Sequence, residues 1–219
     1  MISGRTIGRL SLYRSLLLAL PPDKGPYIYS HELARMAGVT SALVRRDIMA
    51  LGQSGNPRLG YVIRQLVAAI GNLLDAPQPQ SAALVGLGNL GRAIATYFVG
   101  RRPRLTIAVA FDKDPRKIGS VFGGWLCHSM DDLPRIIPEK NIRVAIITVP
   151  AGEAQAVADM LVRAGITGIL TFAPVRLRVP AGAYLEDMDM TVSLEKVAYF
   201  ARKGIAGGNG AEASVDPSA

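Results

Sequence analysis

A chain of 219 residues, 49% of them hydrophobic and with a formal net charge of +8, is long enough for one large or two small cores and too apolar to stay disordered. Its longest apolar stretches, LLLAL at 16–20 and VAIITV at 144–149, fall far short of the ~20 residues that span a bilayer. The start, MISGRTIGRLSLYRSLLLAL, lacks the compact charged segment and cleavage site of a signal peptide. One cysteine, Cys127, rules out an internal disulfide and fits a reducing, cytoplasmic location. The positive charge favours polyanionic partners, nucleic acid first and phosphorylated cofactors second.

In chain order, GRTIGRLSLYRSLLLAL (4–20) predicts a helix with Ile7, Leu10 and Leu17 inward and Arg5, Arg9 and Arg14 outward. YSHELARMAGVTSALVRRDIMALG (29–52) divides into two helices about a tight turn. Ser30 is placed to cap the first, Gly38 permits a left-handed turn, and Thr40 or Ser41 caps the second. Val44, Ile48 and Leu51 form one apolar stripe, while Ser41, Ala42, Arg45 and Arg46 face solvent. This is a helix-turn-helix pattern, whose second helix enters the major groove and whose arginines can donate two hydrogen bonds to a guanine edge. GQSGNPRLGYVI (52–63) suits a wing, with Arg58 at its tip and Tyr61 at its return. Residues 1–80 carry nine Lys and Arg against four Asp and Glu, a net of +5. A small helical dimerisation module is the alternative reading of this half.

LLDAPQPQSA (73–82) reads as a linker, and from Ala82 to about Asp187 apolar runs alternate with helical patterns, as in a parallel α/β sheet. Strands are predicted at AALVG (82–86), LTIAVAFD (105–112), RVAIITVP (143–150) and GILTFAP (168–174). Gly86, Gly88 and Gly91 form G-x-G-x-x-G: a tight turn, room for a pyrophosphate against bare backbone, and close approach of helix to strand. Helix N-terminal amide groups would then hold the phosphates. Asp112 closes the second strand 21 residues past Gly91, placed to accept from both adenosine ribose hydroxyls, so NAD(H) is favoured over NADP(H). Lys113 and Arg116 could instead pair with a 2′-phosphate, and a glycine loop serving only tight packing is the other alternative. His31 is read as a solvent-facing neighbour of a helix cap. His128 follows Cys127 in a short loop, and no metal ligand set surrounds them. No catalytic constellation or substrate domain is visible, so a cofactor site joined to a DNA reader argues for a sensor and not an enzyme. MTVSLEKVAYFARKG (190–204) predicts a closing helix with Val192, Val197 and Phe200 on a packing face, and 205–219 a disordered tail.

RLSLYR (9–14), GVTSALVRRD (38–47), VGLGNLGRAIATY (85–97), FDKDPRKIG (111–119), ITVPAGEAQAVADMLVRAGITGILTFAP (147–174) and EDMD (186–189) resemble, in order and in both halves, the Rex family of redox-sensing transcriptional repressors. The resemblance implies a winged helix-turn-helix domain (1–76), a linker (77–81), a Rossmann-type NAD(H)-binding domain (82–189) and a C-terminal dimerisation helix (190–204) exchanged in a homodimer. It implies a repressor that holds a double-stranded, inverted-repeat operator while NADH is low and releases it when NADH binds.

Carried onto this sequence, the pyrophosphate falls to Gly86, Leu87, Gly88, Asn89, Leu90 and Gly91, and the adenosine ribose to Asp112 with Lys113 beside it. The nicotinamide side falls to Thr148, Val149, Pro150, Phe172, Ala173 and Pro174, with Tyr97 and Asp189 as the pair that senses its state. DNA contacts fall to Arg9, Arg14, Ser41, Ala42, Arg45, Arg46, Arg58 and Tyr61. Leu43 stands where the family commonly has glutamine, Arg58 is displaced by one residue within the wing, and Met190 replaces an aromatic. Ser15 stands where an arginine is usual, with Arg14 just before it. Two rival readings are an NAD-dependent oxidoreductase with an accessory N-terminal domain and a coenzyme-A- or nucleotide-binding assembly module.

Overall fold

The computed structural model describes residues 2–101 and 104–203, so the predicted tail lies outside the described residues. The chain divides into two compact units, one formed by Met1–Ala76 together with the chain end from Phe200, the other by Pro77–Tyr199.

The first unit contains α1 (Gly4–Leu18), β1 (Tyr27–Ile28), α2 (Ser30–Ala37), α3 (Ser41–Met49), β2 (Tyr61–Val62) and α4 (Ile63–Leu74). Ser3 caps α1 by accepting the Thr6 N–H, and Leu10, Tyr13 and Leu17 face inward from it. They meet Ile28, Leu33, Val44, Ile48, Leu66 and Ile70 in one core. The turn between α2 and α3 follows the sequence reading: Gly38 adopts φ +66°, and the Thr40 hydroxyl accepts the Leu43 N–H. The start of α2 does not. Tyr29 is its N-cap, held by the Glu32 carboxylate, which accepts the Tyr29 N–H at 2.8 Å, while Ser30 is already helical. β1 and β2 pair antiparallel, and an Asn56–Gly60 bridge closes the loop ahead of β2. Gly60 is required there, because at φ +80° an added Cβ would lie 2.4 Å from the Ile28 carbonyl oxygen.

The second unit carries a seven-stranded sheet. In chain order its elements are β3 (Gln80–Val85), α5 (Asn89–Phe98), β4 (Leu105–Asp112), β5 (Val121–Phe122), β6 (Trp125–Ser129), α6 (Leu133–Glu139), β7 (Val144–Ile147), α7 (Ala151–Arg163), β8 (Gly168–Thr171) and β9 (Tyr184–Asp187); α8 (Met190–Arg202) follows, in this unit as far as Tyr199. The spatial order is β5-β6-β4-β3-β7-β8-β9, and every pair is parallel except the short β5–β6 hairpin. Numbered along the chain, the six parallel strands run 3-2-1-4-5-6, the doubly wound order whose direction of winding reverses between β3 and β7. Side chains alternate between two cores: Ala83, Val85, Phe111, Ala145 and Ile147 pack toward α6 and α7, while Leu84, Ala110 and Ile146 face the side of α5. Ala82 pairs with Ile107 but Ala83 with Val109, and this bulge sets Ile107 on the same face as Ala110.

Three sequence expectations are corrected. β3 starts at Gln80, so the predicted linker gives up its last two residues to the sheet. Cys127 and His128 lie on strand β6 and not in a loop, with Cys127 buried. β5, β6 and β9 extend the sheet beyond the four predicted strands. No helix among the described residues is long and apolar enough to cross a membrane.

Candidate functional site

At the reversal point the carboxyl ends of β3, β4 and β7 open into a cleft of about 1000 Å³. Its lining includes Gly86, Gly88, Asn89 and Leu90 from the glycine loop and Asp112, Lys113 and Lys117 from the end of β4. Thr148, Val149, Pro150, Phe172 and Pro174 line it from the ends of β7 and β8, and Glu153, Val157 and Met160 from α7.

The three glycines divide their work as their surroundings dictate. Gly86 sits at φ +96°, and a Cβ there would lie 2.9 Å from the Thr148 carbonyl oxygen. A Cβ on Gly91 would lie 1.9 Å from the Gly86 carbonyl oxygen, so α5 can approach the loop only without a side chain. Around Gly88 a Cβ would meet nothing within 4 Å. That glycine keeps space open and is not needed for packing, which is the condition for a phosphate to reach bare backbone at the amino end of α5. Thr148 ties the two sides of the reversal together: its hydroxyl donates to the carbonyls of Val85 at 3.0 Å and Gly86 at 2.8 Å.

Asp112 is the electrostatic hub. Its Oδ2 accepts the Leu87 N–H at 2.7 Å and the Lys117 ammonium at 2.9 Å, and its Oδ1 accepts the Asp114 N–H at 2.9 Å. Burial on its own would raise the pKa of this carboxyl, but the Asp114 N–H, the Lys117 ammonium and the Leu87 N–H together hold it below the ordinary range. The same carboxylate therefore fixes the glycine loop, and Oδ1 keeps a lone pair for a ribose hydroxyl. Each neighbouring cation is already matched: Lys117 with Asp112, Arg116 with Asp114, and Lys113 with Glu153 at 2.5 Å across the cleft. The Arg116 side chain and N–H hold the Asp114 carboxyl down to about 2.

Of the predicted cofactor residues, Leu87, Gly91 and Ala173 are buried beneath the cleft, where they shape the loops without lining it. Tyr97 and Asp189 lie off the cleft lining. The Tyr97 ring is exposed with the Arg101 guanidinium 3.9 Å from its centroid. Asp189 caps α8, its Oδ1 accepting the N–H groups of Thr191 at 2.8 Å and Val192 at 3.0 Å. Lys117, Glu153 and Met160 were missed by sequence reasoning. Lys117 could have been suspected from its place five residues after Asp112, whereas nothing in the α7 sequence marks which of its faces borders a cleft.

In the first unit, α3 presents Ala42, Arg45, Arg46 and Met49 to solvent at spacings of three, one and three, a single helical face. Arg45 is steadied by donating to the Ser30 Oγ at 3.2 Å, and Ser41 is half-buried at the first turn. At the wing, Asn56 Oδ1 accepts the N–H groups of Arg58 and Leu59, and the Tyr29 hydroxyl donates to the Arg58 carbonyl, leaving the Arg58 side chain exposed.

Three predicted DNA-contact residues are engaged within the unit itself, against the outward placement expected for Arg9 and Arg14. Arg9 turns inward and grips the buried Asp47 of α3 through Nε at 2.6 Å and Nη2 at 2.7 Å, with the Tyr13 hydroxyl donating to the same carboxylate at 3.0 Å. Burial, and then the hydrogen bond to Asp47, push the Tyr13 pKa well above the usual tyrosine value. Arg14 is 8% exposed and bonds Asp75 at the end of α4. Tyr61 packs on the core of the unit with its ring beneath Gly55. Among the described residues, no group of three or more His, Cys, Asp or Glu could hold a metal ion.

Comparison with known proteins settles the family. Residues 1–48 match the family described as "Putative DNA-binding protein N-terminus" and residues 77–175 the one described as "CoA binding domain". The redox-sensing transcriptional repressor Rex of Syntrophobacter fumaroxidans is 40% identical over 195 residues, covering 89% of this chain and 93% of the relative. The chain belongs to the Rex family of redox-sensing transcriptional repressors. Among solved structures, the Rex-family repressor RSP in complex with β-NAD+ and operator DNA matches with a TM-score of 0.85 at 30% identity, over 93% of this chain and 94% of that one. RSP in complex with β-NADH matches with a TM-score of 0.83 at 30% identity, over 93% of this chain and 96% of that one. The Rex fold thus spans both units, the winged helix-turn-helix and the parallel sheet alike.

Proposed function

We propose that this chain is a homodimeric repressor that binds an inverted-repeat DNA operator while NADH is scarce and releases it when NADH occupies the cleft. The observation that carries this reading is the pairing, on one chain, of a groove-reading helix with a dinucleotide cradle whose open glycine, Gly88, leaves room for a pyrophosphate. Gly86 to Gly91 hold that pyrophosphate, Asp112 the adenosine ribose, and Thr148 to Pro150 with Phe172 and Pro174 the nicotinamide end. Arg45 and Arg46 read base edges, with Ala42 and Ser41 closest to the groove, and Arg58 meets a phosphate.

The protein acts as a sensor and not an enzyme. What supports this is the naming of its relatives as transcriptional repressors, together with a cleft lining in which Lys113 pairs with Glu153 and Lys117 with Asp112. The oxidised and reduced nicotinamide differ by a positive charge and by ring planarity. A carboxylate near that ring gives the two forms different binding energies, and only such a difference can shift a conformational equilibrium. We assign this to Asp189, with Tyr97, acting across the dimer. The helix beginning at Met190 exposes Leu194, Val197, Tyr199 and Phe200, with no residue buried in its own protomer, which suits exchange with a second copy.

A gel-shift titration of an inverted-repeat duplex, with and without saturating NADH, tests the reading. Operator affinity should fall by roughly 5–150-fold, the usual range of allosteric coupling. Indifference to NADH would overturn it. The match of residues 77–175 to a CoA binding domain favours a second reading, in which the cleft takes coenzyme A. Thermal stabilisation by coenzyme A but not by NADH would select it.

A further inference from the structure

The helix α1 carries two inward-turned arginines on either side of Tyr13, and they hold different things. Arg9 and Tyr13 grip Asp47, so α1 fixes the recognition helix α3. Arg14 reaches the other way: its Nη1 donates to both Asp75 oxygens, each at 2.8 Å. Asp75 is the residue on which α4 stops, its backbone extended at φ −91° and ψ 126° and its N–H still bonded to the Gly71 carbonyl. The chain then runs Ala76-Pro77-Gln78-Pro79 before β3 begins at Gln80. Two prolines in four residues restrict that connector, which makes it a semi-rigid spacer between the end of α4 and β3. The Arg14 guanidinium is buried, and its Nε has no hydrogen-bond partner among the described residues. A buried charge with an unmet donor is held in place only by its ion partner.

We infer that the Arg14–Asp75 pair is a positioning device that couples the connector to α1, and through Asp47 to the recognition helix. It rests on the proposed NADH-controlled release of DNA, and names the residues through which the movement of the cofactor-binding unit reaches α3. The line of contact is continuous and uses one rigid element: connector, Asp75, Arg14, α1, Arg9 with Tyr13, Asp47, α3. If the pair is broken, the operator and NADH each still find an intact site, but the two sites stop informing one another.

The test measures coupling and not binding alone. In the full-length dimer, operator affinity is determined with and without saturating NADH for wild type, D75N, D75E and R14K. NADH affinity is determined separately for each by titration calorimetry. D75N should keep its NADH affinity within about twofold and its operator affinity without NADH within about threefold, while the NADH-dependent change in operator affinity shrinks at least fivefold. D75E, which keeps the charge, should recover most of that change, and R14K should fall between. Were D75N to melt below the assay temperature, R14K, which leaves a cation opposite Asp75, still discriminates. A wild-type response to NADH preserved in both D75N and R14K overturns the inference while leaving the repressor reading intact. A wild-type protein whose operator binding ignores NADH overturns both.

Discussion

Replacing Asp47 with alanine removes the acceptor for three donors at once: Arg9 Nε, Arg9 Nη2 and the Tyr13 hydroxyl. The carboxylate side chain is 2% exposed and that of Arg9 23% exposed, so the loss falls mostly on groups that water cannot reach. Breaking a buried pair from one side costs ~3–5 kcal/mol; because Arg9 can swing toward solvent, the lower end applies, about 3 kcal/mol. At roughly 2–4 °C per kcal/mol for a chain of this size, Tm should fall by roughly 6–12 °C in a calorimetric scan. The companion measurement separates a structural arginine from one that meets DNA. Arg9→Met keeps the packed stem and removes the fork, so Tm should fall while the salt dependence of operator binding stays at the wild-type slope. Arg58→Met should do the reverse: its backbone holds the wing and its side chain is exposed. Tm should stay, and the slope should shrink by about 0.9 per protomer for a lost phosphate contact. An Arg9→Met protein that melts like wild type and loses salt dependence would refute the inward assignment of this residue.

The glycine loop should split by position. Gly91→Ala forces a methyl to 1.9 Å from the Gly86 carbonyl oxygen and should lower stability by about 1–3 kcal/mol; Gly88→Ala should melt like wild type yet bind NADH about tenfold or more weakly, by calorimetry. Because the folded Asp112 pKa is lowered, its contribution is fully present above the unfolded carboxyl value of about 3.9 and is lost as pH falls through the lower folded value. NADH affinity should therefore be flat from neutral pH down to the ordinary carboxyl value of about 3.9 and fall only at pH below it, with the acid-limb drop absent in Asp112→Asn; a loss centred near pH 6.5 would point to another group. NADPH should bind far more weakly than NADH, since Lys113, Arg116 and Lys117 are each already paired with a carboxylate; equal affinities in a competition titration would contradict those pairings. Val197→Asp, on the exposed face of α8, should yield monomers in sedimentation velocity and abolish binding to an inverted repeat.

What the sequence made legible was local. The α2–α3 turn, the spacing of the three glycines and the eight residues of β4 ending in Asp112 all depend on neighbours within a few positions, where periodicity and backbone freedom leave a direct mark. β6 escaped because WLCHS is short and mixes polar with apolar residues, as loops do, and only pairing with β4 makes it a strand. Tyr97 and Asp189 matched a family motif, but a motif does not say where a side chain lies relative to the cleft.

Arg9 and Arg14 show where periodicity gives out. On a helix turning about 100° per residue, each lies some 70° from the centre of the stripe formed by Leu10, Tyr13 and Leu17, one on either flank. A flank position is settled by what it meets. Here it meets a carboxylate 38 residues away for Arg9 and 61 residues away for Arg14. One signal was present on the other side of the first pair. Asp47 falls at the third position after Val44 and just before Ile48, inside the apolar stripe of α3, and a charge placed there must find a partner or be excluded from the core. Reading that misplaced carboxylate as a demand for a cation, before assigning arginines to DNA, would have turned Arg9 inward from sequence alone. Nothing comparable marks Asp75, which sits among linker residues where a carboxylate is unremarkable, so the tie between α1 and the connector is visible only in three dimensions.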